Sequence, residues 1–274
     1  MLFNTSLKVI FFLNRFNTSA AINIWQEVKI GIVSDQLVSN TRNLEDIVRK
    51  GQMLTWGIPI RRDKLIGKLK GKHEEVIPKY SNTNVGRYSI NGIISELAYY
   101  SINSRFKPKS GSYWTVQHEQ GLRFRNSGIR FSRTTIDAAK FVSMTQKSIL
   151  GMHFNLGLFN SKENEIKTFE SEQFIIGGTY SLRGYNENNY PFSGEKKILF
   201  NIELRQEIVK KLEGVLFYDL GNVFKKEEKV EMGQLHYGYG IGLRYFTPVG
   251  PIRLDFAKND SGDYRFHFGL GQLF

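Results

Sequence analysis

The chain has 274 residues, of which 41% are apolar and 23% charged, and its formal net charge is +12. The longest clean apolar run, Val9 to Leu13, falls far short of the about 20 residues a membrane helix needs, which excludes a bundle of membrane helices. Cysteine is absent and aromatics make up 14%, so disulfide frameworks, zinc knuckles and thiol nucleophiles are excluded and disorder is disfavoured. A transmembrane β-barrel remains open, because each of its strands is apolar on one face only; its mark is period-2 alternation over about ten residues.

Residues 1–85 form a poorly patterned N-terminal part. Leu7–Leu13 and Ile22–Val33 read as strands, Asn43–Lys50 as a short helix and Trp56–Ile60 as a strand remnant, within a basic, irregular stretch from Asn40 to Asn84. Residues 86–274 read as the barrel portion. Tyr88–Ile102, Tyr113–Phe124 and Arg130–Val142 are strands, with Lys107-Pro108-Lys109-Ser110-Gly111 as a turn before the second.

From Ser148 onward the alternation is clear. Leu150, Met152, Phe154, Leu156 and Leu158 stand opposite Gly151, His153, Asn155 and Gly157. Ile198, Phe200, Ile202 and Leu204 stand opposite Asn201, Glu203, Arg205 and Glu207. Tyr237, Tyr239, Ile241, Leu243 and Tyr245 face away from His236, Gly238, Gly240, Gly242 and Arg244, and Tyr264, Phe266, Phe268, Leu270, Gln272 and Phe274 face away from Arg265, His267, Gly269, Gly271 and Leu273. Tyr and Phe recur on the outer face as an interfacial girdle requires, and Gly recurs on the inner face, where it leaves room in the lumen.

The connections alternate in length. Lys258–Asp263, Asn222–Leu235 and Phe159–Lys197 fall on one side, and the short Phe246–Pro251 and Val209–Glu213 on the other. Barrels of this kind have short periplasmic turns and longer outer loops, which predicts a periplasmic C-terminus and places the 159–197 loop outside. The strand count is about 12.

Other chemistry is poorly supported. His73, His118, His153, His236 and His267 show no metal-ligand spacing. Gly238-Tyr239-Gly240-Ile241-Gly242 lacks the lysine of a phosphate loop and alternates as a strand, and no GxSxG occurs. Positive charge is spread over turns and lumen positions rather than forming one stripe, which argues against nucleic acid and for lipid headgroups or lipopolysaccharide. No cofactor and no enzymatic activity are expected.

Three motifs carry a resemblance. Gly177-Gly178-Thr179-Tyr180-Ser181-Leu182-Arg183-Gly184-Tyr185 resembles a GG-xxx-(V/L)RG(F/Y) loop signature, Phe217-Tyr218-Asp219-Leu220-Gly221 an FxDxG strand motif, and Thr247–Phe256 a penultimate hairpin before a last strand ending at Phe274. Phe106–Tyr113 adds a looser likeness to a strand start. In this order they resemble the BamA/TamA outer-membrane insertase superfamily, also called the bacterial surface antigen family.

The resemblance implies an all-β transmembrane antiparallel barrel of about sixteen strands, usually preceded by periplasmic POTRA modules. With about 12 strands and no POTRA pattern or convincing leader, the chain is expected to be the C-terminal portion of a longer protein with an incomplete barrel. The implied function is insertion or assembly of β-barrel proteins in the bacterial outer membrane, with unfolded outer-membrane proteins as substrates and assembly lipoproteins as partners. The implied mechanism opens a seam between the first and last strands, where a substrate strand augments the exposed edge. A two-partner secretion pore and a truncated anchoring barrel are the alternatives.

By parity Glu203 and Asp219 both point into the lumen, where two carboxylates repel unless a cation sits between them. The resemblance supplies Arg183, at the tip of a loop folded into the barrel, whose planar fork serves both. Gly177, Gly178 and Gly184 permit the tight path beside it. The last strand, with Phe266, Phe268, Leu270 and Phe274, resembles the C-terminal signal by which assembly machinery recognises outer-membrane proteins.

Overall fold

Alternation along the sequence becomes the two faces of one large sheet. The computed structural model describes residues 7–8, 17–24, 28–35, 47–61, 64–78, 88–104, 107–124, 128–161, 172–187, 193–248 and 250–274, and for residues 1–50 the strand pairing alone. The strands are β1 (Leu7–Lys8), β2 (Asn17–Ile24), β3 (Val28–Asp35), β4 (Ile47–Arg61), β5 (Leu65–Pro78), β6 (Tyr88–Tyr100), β7 (Gly111–Leu122), β8 (Phe131–Ser143) and β9 (Ser148–Ser161). They are followed by the two-residue β10 (Phe174–Ile175) and β11 (Ser193–Gly194), then β12 (Lys196–Val209), β13 (Leu212–Phe224), β14 (His236–Thr247), β15 (Gly250–Asn259) and β16 (Tyr264–Leu270). The sheet runs in sequence order from β1 to β9 and on from β12 to β16, fourteen segments in all, while β10 and β11 pair with each other. Among the described residues no helix is long and apolar enough to cross a membrane; the crossing elements of this fold are its strands.

The N-terminal part is more regular than its sequence suggests. The single strand expected over Ile22–Val33 is instead parts of two antiparallel strands, β2 and β3, with Ile24 opposite Val28; residues 25–27 lie outside the described residues. Ile47–Lys50, read as helix, opens β4, which pairs with β5 through the basic stretch, Met53 facing Lys72 and Thr55 facing Lys70. These hairpins account for the difference between fourteen segments and the expected twelve or so. The remainder of Leu7–Leu13, residues 43–46, Phe106 and Val249 lie outside the described residues.

The chain groups into two units, the first comprising Met1–Tyr99, Val116–Thr134 and Phe159–Glu172 and the second comprising Tyr100–Thr115, Thr135–Leu158 and Gln173–Phe274. In the first, Leu54, Trp56, Ile58, Ile60, Leu69, Ile93 and Leu97 are exposed while Glu74, Glu96 and Glu119 are buried. Lys68 and Lys70 both reach Glu96, at 2.6 and 2.5 Å, and Lys72 reaches Glu119 at 2.5 Å. The alternating lysines of β5 are therefore the inner face of a strand.

In the second unit the same inversion is stronger. Leu216, Tyr237, Tyr239, Ile241, Leu243, Leu254, Phe256, Phe266, Phe268 and Leu270 are exposed, and Asn201, Glu203, Arg205, Asp219, Arg244, Arg253 and Asp255 are buried. Apolar outside and charged inside is the arrangement of a wall with lipid on one face and a polar interior on the other. Tyr218 stacks on Tyr237 at 5.8 Å and Phe256 on Tyr264 at 5.5 Å, forming an aromatic group near the long-loop ends of these strands, where a girdle sits.

Candidate functional site: a charged lock on the inner wall

The inner wall positions the site through pairing register. Asn201 faces Asp219, and Glu203 faces Phe217, across β12 and β13; Asp219 in turn faces Gly238 of β14. Ladder spacing of about 5 Å between strands brings the inward side chains of four strands to one spot. The segment between β10 and β11 descends onto it. Leu182 and Tyr185, with Ile176, pack on Leu199 and Val223 of the wall, an apolar anchor that fixes where Arg183 points.

The structure brings Arg183, Glu203 and Asp219 together, each fully buried. Arg183 Nε donates to Asp219 Oδ2 at 2.7 Å and Nη2 to Oδ1 at 2.8 Å, the two-armed geometry that makes arginine–carboxylate pairs strong. The Arg183 main-chain N–H adds a third bond to Asp219 at 3.1 Å, and Nη1 reaches Glu203 Oε1 at 2.7 Å. The guanidinium lies 3.5 Å above the centre of the Phe217 ring, within cation–π range, so the phenylalanine and aspartate of the strand motif hold the same cation. Burial alone would lower the pKa of Arg183; Asp219 and Glu203 overcome this and hold it above the ordinary arginine value.

The network extends beyond Arg183, Glu203 and Asp219. Asn201 donates to Asp219 at 2.8 Å and to the Ser181 carbonyl at 2.7 Å. Arg205 Nε donates to Glu203 at 2.8 Å, and Arg244 reaches Asp255 at 2.5 Å and Glu203 at 3.2 Å. Arg253 donates to the Thr179 carbonyl at 3.0 Å. Asn201, Arg205 and Arg244 stand at inward-parity positions in the sequence, whereas Arg253 and Asp255 lie in a strand whose alternation is less clean; the register that brings four strands to one spot is not in the pattern.

The loop motif is seated by glycines on both partners. Gly184 has φ +95°, and its amide donates to His267 Nε2 at 3.0 Å while its carbonyl accepts from Asn259 at 3.1 Å. A β-carbon on Gly238 would stand 1.8 Å from the Arg183 carbonyl oxygen, so the wall must be bare there for the loop to dock. Gly177 and Gly178 also have positive φ, and Gly221 faces Leu199 across the hairpin. Beyond the motif, Tyr185 hydrogen-bonds Asp260, which also accepts from His236 at 2.8 Å. Beside the lock lies a polar cavity of about 500 Å³, lined in part by Asp137, His153, Asn155, Glu187 and Lys197.

The C-terminal residues divide. Phe266, Phe268 and Leu270 are exposed on the outer face. Phe274, assigned by parity to that face, is on the inner side: β16 ends at Leu270, Gly271 takes φ +85°, and the Phe274 ring stacks on His153 at 5.0 Å and on Phe141 at 5.8 Å. A left-handed glycine breaks the two-residue period, so counting parity through it assigns the wrong face.

A sheet with lipid-facing aromatics and a loop locked to its inner wall by arginine defines an outer-membrane β-barrel. The Omp85 superfamily domain matches residues 5–274, and the chain belongs to that superfamily. In fold it is similar to BamA from Haemophilus ducreyi lacking POTRA domains 1–3, with a TM-score of 0.68 at 15% identity over 93% of this chain and 62% of that one. It is also similar to CdiB from Acinetobacter baumannii, with a TM-score of 0.57 at 15% identity over 92% of this chain and 48% of that one. Among curated proteins it is 34% identical to outer envelope protein 80, chloroplastic, of Arabidopsis thaliana over 165 residues, 56% of this chain and 21% of that protein. It is 40% identical to the protein of the same name from Oryza sativa subsp. japonica over 171 residues, 60% of this chain and 25% of that protein. The chain thus spans a quarter or less of the length of these two relatives.

Proposed function

We propose that the chain forms the membrane-embedded part of a non-enzymatic assembly factor that inserts β-barrel polypeptides into an outer membrane. The observation that carries this reading is the Arg183 lock, which fixes the 177–185 loop inside the wall and leaves the polar cavity beside it. On this reading unfolded β-barrel substrates are the partners, and they pair by strand augmentation at β1 and β16, the two ends of the sheet order. The short connections from Val209 to Leu212 and from Thr247 to Gly250 support a C-terminus on the inner, periplasm-equivalent side. The identity to chloroplast outer envelope proteins favours a plastid outer envelope over a bacterial one; lipopolysaccharide and assembly lipoproteins belong to the bacterial case.

The test is reconstitution. Proteoliposomes holding the chain should speed the folding of an added unfolded barrel protein over empty vesicles, and Arg183→Ala should remove the gain. The polypeptide-conduit reading, to which the likeness to CdiB lends support, predicts passage of an unfolded chain into the vesicle interior instead. Fractionation of cells carrying a tagged copy decides the compartment.

A further inference from the structure

The short-turn edge of the second unit carries charge of one sign. Its turns bear Lys107 and Lys109 (residues 101–110), Lys147 (144–147) and Lys210 with Lys211 (210–211), and none of these turns contains an acidic residue. The nearby acids, Glu207 and Glu213, are both engaged by Lys107, at 2.7 and 2.8 Å. Lys147, Lys210 and Lys211 are exposed, and among the described residues none has a carboxylate in ion-pair range. The opposite ends differ in kind: the 225–235 connection mixes Lys225, Lys226 and Lys229 with Glu227, Glu228 and Glu231, and the 260–263 turn holds Asp260 and Asp263.

Two structural features set these lysines apart from a casual basic surface. The first is a fixed frame. The Lys147 carbonyl accepts from the Glu207 amide of β12 and the Lys211 carbonyl from the Phe246 amide of β14, both at 2.8 Å, so the main chain of each turn is tied to the end of the neighbouring strand. The second is backbone strain. Lys211 has φ 74° and is the one non-glycine with positive φ among the described residues, at a hairpin position that glycine or asparagine fills at lower cost. A residue kept in a strained conformation points to a role for its side chain.

The lysines also mark a boundary. Val142 and Met144 lead to Lys147, and Ile208 and Val209 lead directly to Lys210; all four apolar side chains are exposed. On a barrel wall, exposed apolar side chains end where the hydrocarbon ends, and the next layer is the lipid headgroups. We propose that Lys147, Lys210 and Lys211 form a binding edge for the anionic headgroups of the adjoining lipid leaflet, taking phosphate or sulfate groups from lipids that lie along the turns. Charge complementarity at the headgroup layer selects lipid over other occupants: clustered lysines at this depth attract anionic lipid in proportion to their number. The inference rests on the barrel architecture and not on the insertase reading.

The experiment uses the folded chain in neutral detergent, titrated with phosphatidylglycerol or phosphatidylcholine and read by native mass spectrometry. The chain should bind phosphatidylglycerol in preference, and added salt should weaken the binding. Neutralising the edge with Lys147→Gln, Lys210→Gln and Lys211→Gln should lower the affinity on the order of a hundredfold, about fivefold per lysine, while melting in phosphatidylcholine vesicles stays at the wild-type temperature. Lys229→Gln, in the mixed-charge connection, should leave lipid binding unchanged. Lys211→Gly separates charge from backbone: it should hold or raise the melting temperature and still lower phosphatidylglycerol affinity about fivefold. Equal affinity for the two lipids, or a Lys211→Gly protein that loses stability but keeps wild-type lipid binding, overturns the proposal. So does an edge that binds an acidic peptide and ignores phosphatidylglycerol.

Discussion

Arg183 meets Asp219 with both arms of its guanidinium and with its own main-chain N–H, so one aspartate fixes both the side chain and the path of the loop. Each group is fully buried. Removing one partner leaves an uncompensated charge, at a cost of about 3–5 kcal/mol. Arg183→Ala and Asp219→Ala should therefore each be strongly destabilising, and the double variant much less so than their sum. Urea unfolding of the four proteins in detergent gives the coupling directly. Arg183→Lys should not restore it, because an ammonium cannot span two carboxylates as the planar fork does; additive single effects would mean that the pair is not a unit.

The loop docks only because the wall opposite it has no side chain. Gly238→Ala places a methyl group against the Arg183 carbonyl, and backbone cannot yield there as a flexible side chain would. The cost should be about 1–3 kcal/mol, seen as faster proteolytic cutting within residues 172–187. Gly233→Ala, with nothing within 4 Å, should cut at the wild-type rate.

How much of this was legible depended on where chemistry and period coincide. Glu203 and Asp219 could be placed inward from parity because Ile202 and Tyr218 flank them on the apolar side. The lysines of β5 hid their strand, since Lys68, Lys70 and Lys72 alternate with Leu69 and Gly71, a weak apolar face beside a strong charged one. Arg244 and Arg205 had the right parity, but membership in one cluster depends on register between strands. Register follows from turn geometry and bulges, such as the one between Glu207 and Val209, rather than from composition.

Acid should loosen the outer end of the loop. Burial raises the pKa of Asp260, but hydrogen bonds from Tyr185 and His236 outweigh it and hold the carboxyl below the ordinary aspartate range. A carboxylate whose folded value is depressed contributes stability above its unfolded value, about 3.9, and that contribution is lost as pH falls through the folded value. Protease sensitivity of the segment around Tyr185 should rise over that acid window, and Asp260→Asn should flatten the dependence. A profile unchanged by Asp260→Asn would assign it to other groups.

The outer face tests the membrane reading. Leu243, exposed in mid-strand on β14, faces lipid. Leu243→Lys should cost about 2–4 kcal/mol if it sits near the midplane, measured by unfolding from vesicles, and far less in a detergent whose headgroups can reach it. A chain that is soluble and folded without lipid or detergent would contradict the assignment.

Phe274 ties the end of the chain to the lock. Its ring lies 5.0 Å from the Arg205 guanidinium and packs nearly parallel to His153, at an interplanar angle of 8°. Arg205 in turn donates to Glu203, which Arg183 shares. Phe274 therefore covers a buried cation that also lies over the Phe141 ring and belongs to the charged network. Truncating the ring by Phe274→Ala removes the stacking and the cation–π contact, each about 0.5–1.5 kcal/mol, and opens Arg205 to water. Phe268→Ala removes a ring of the same size from the outer face, where lipid replaces it, and should cost less. Thermal unfolding of Phe274→Ala, Arg205→Ala and the double variant decides whether the two residues act together. A coupling near zero would reduce the Phe274 seat to simple packing. A coupling of about 1 kcal/mol or more would make the C-terminus a working part of the lock.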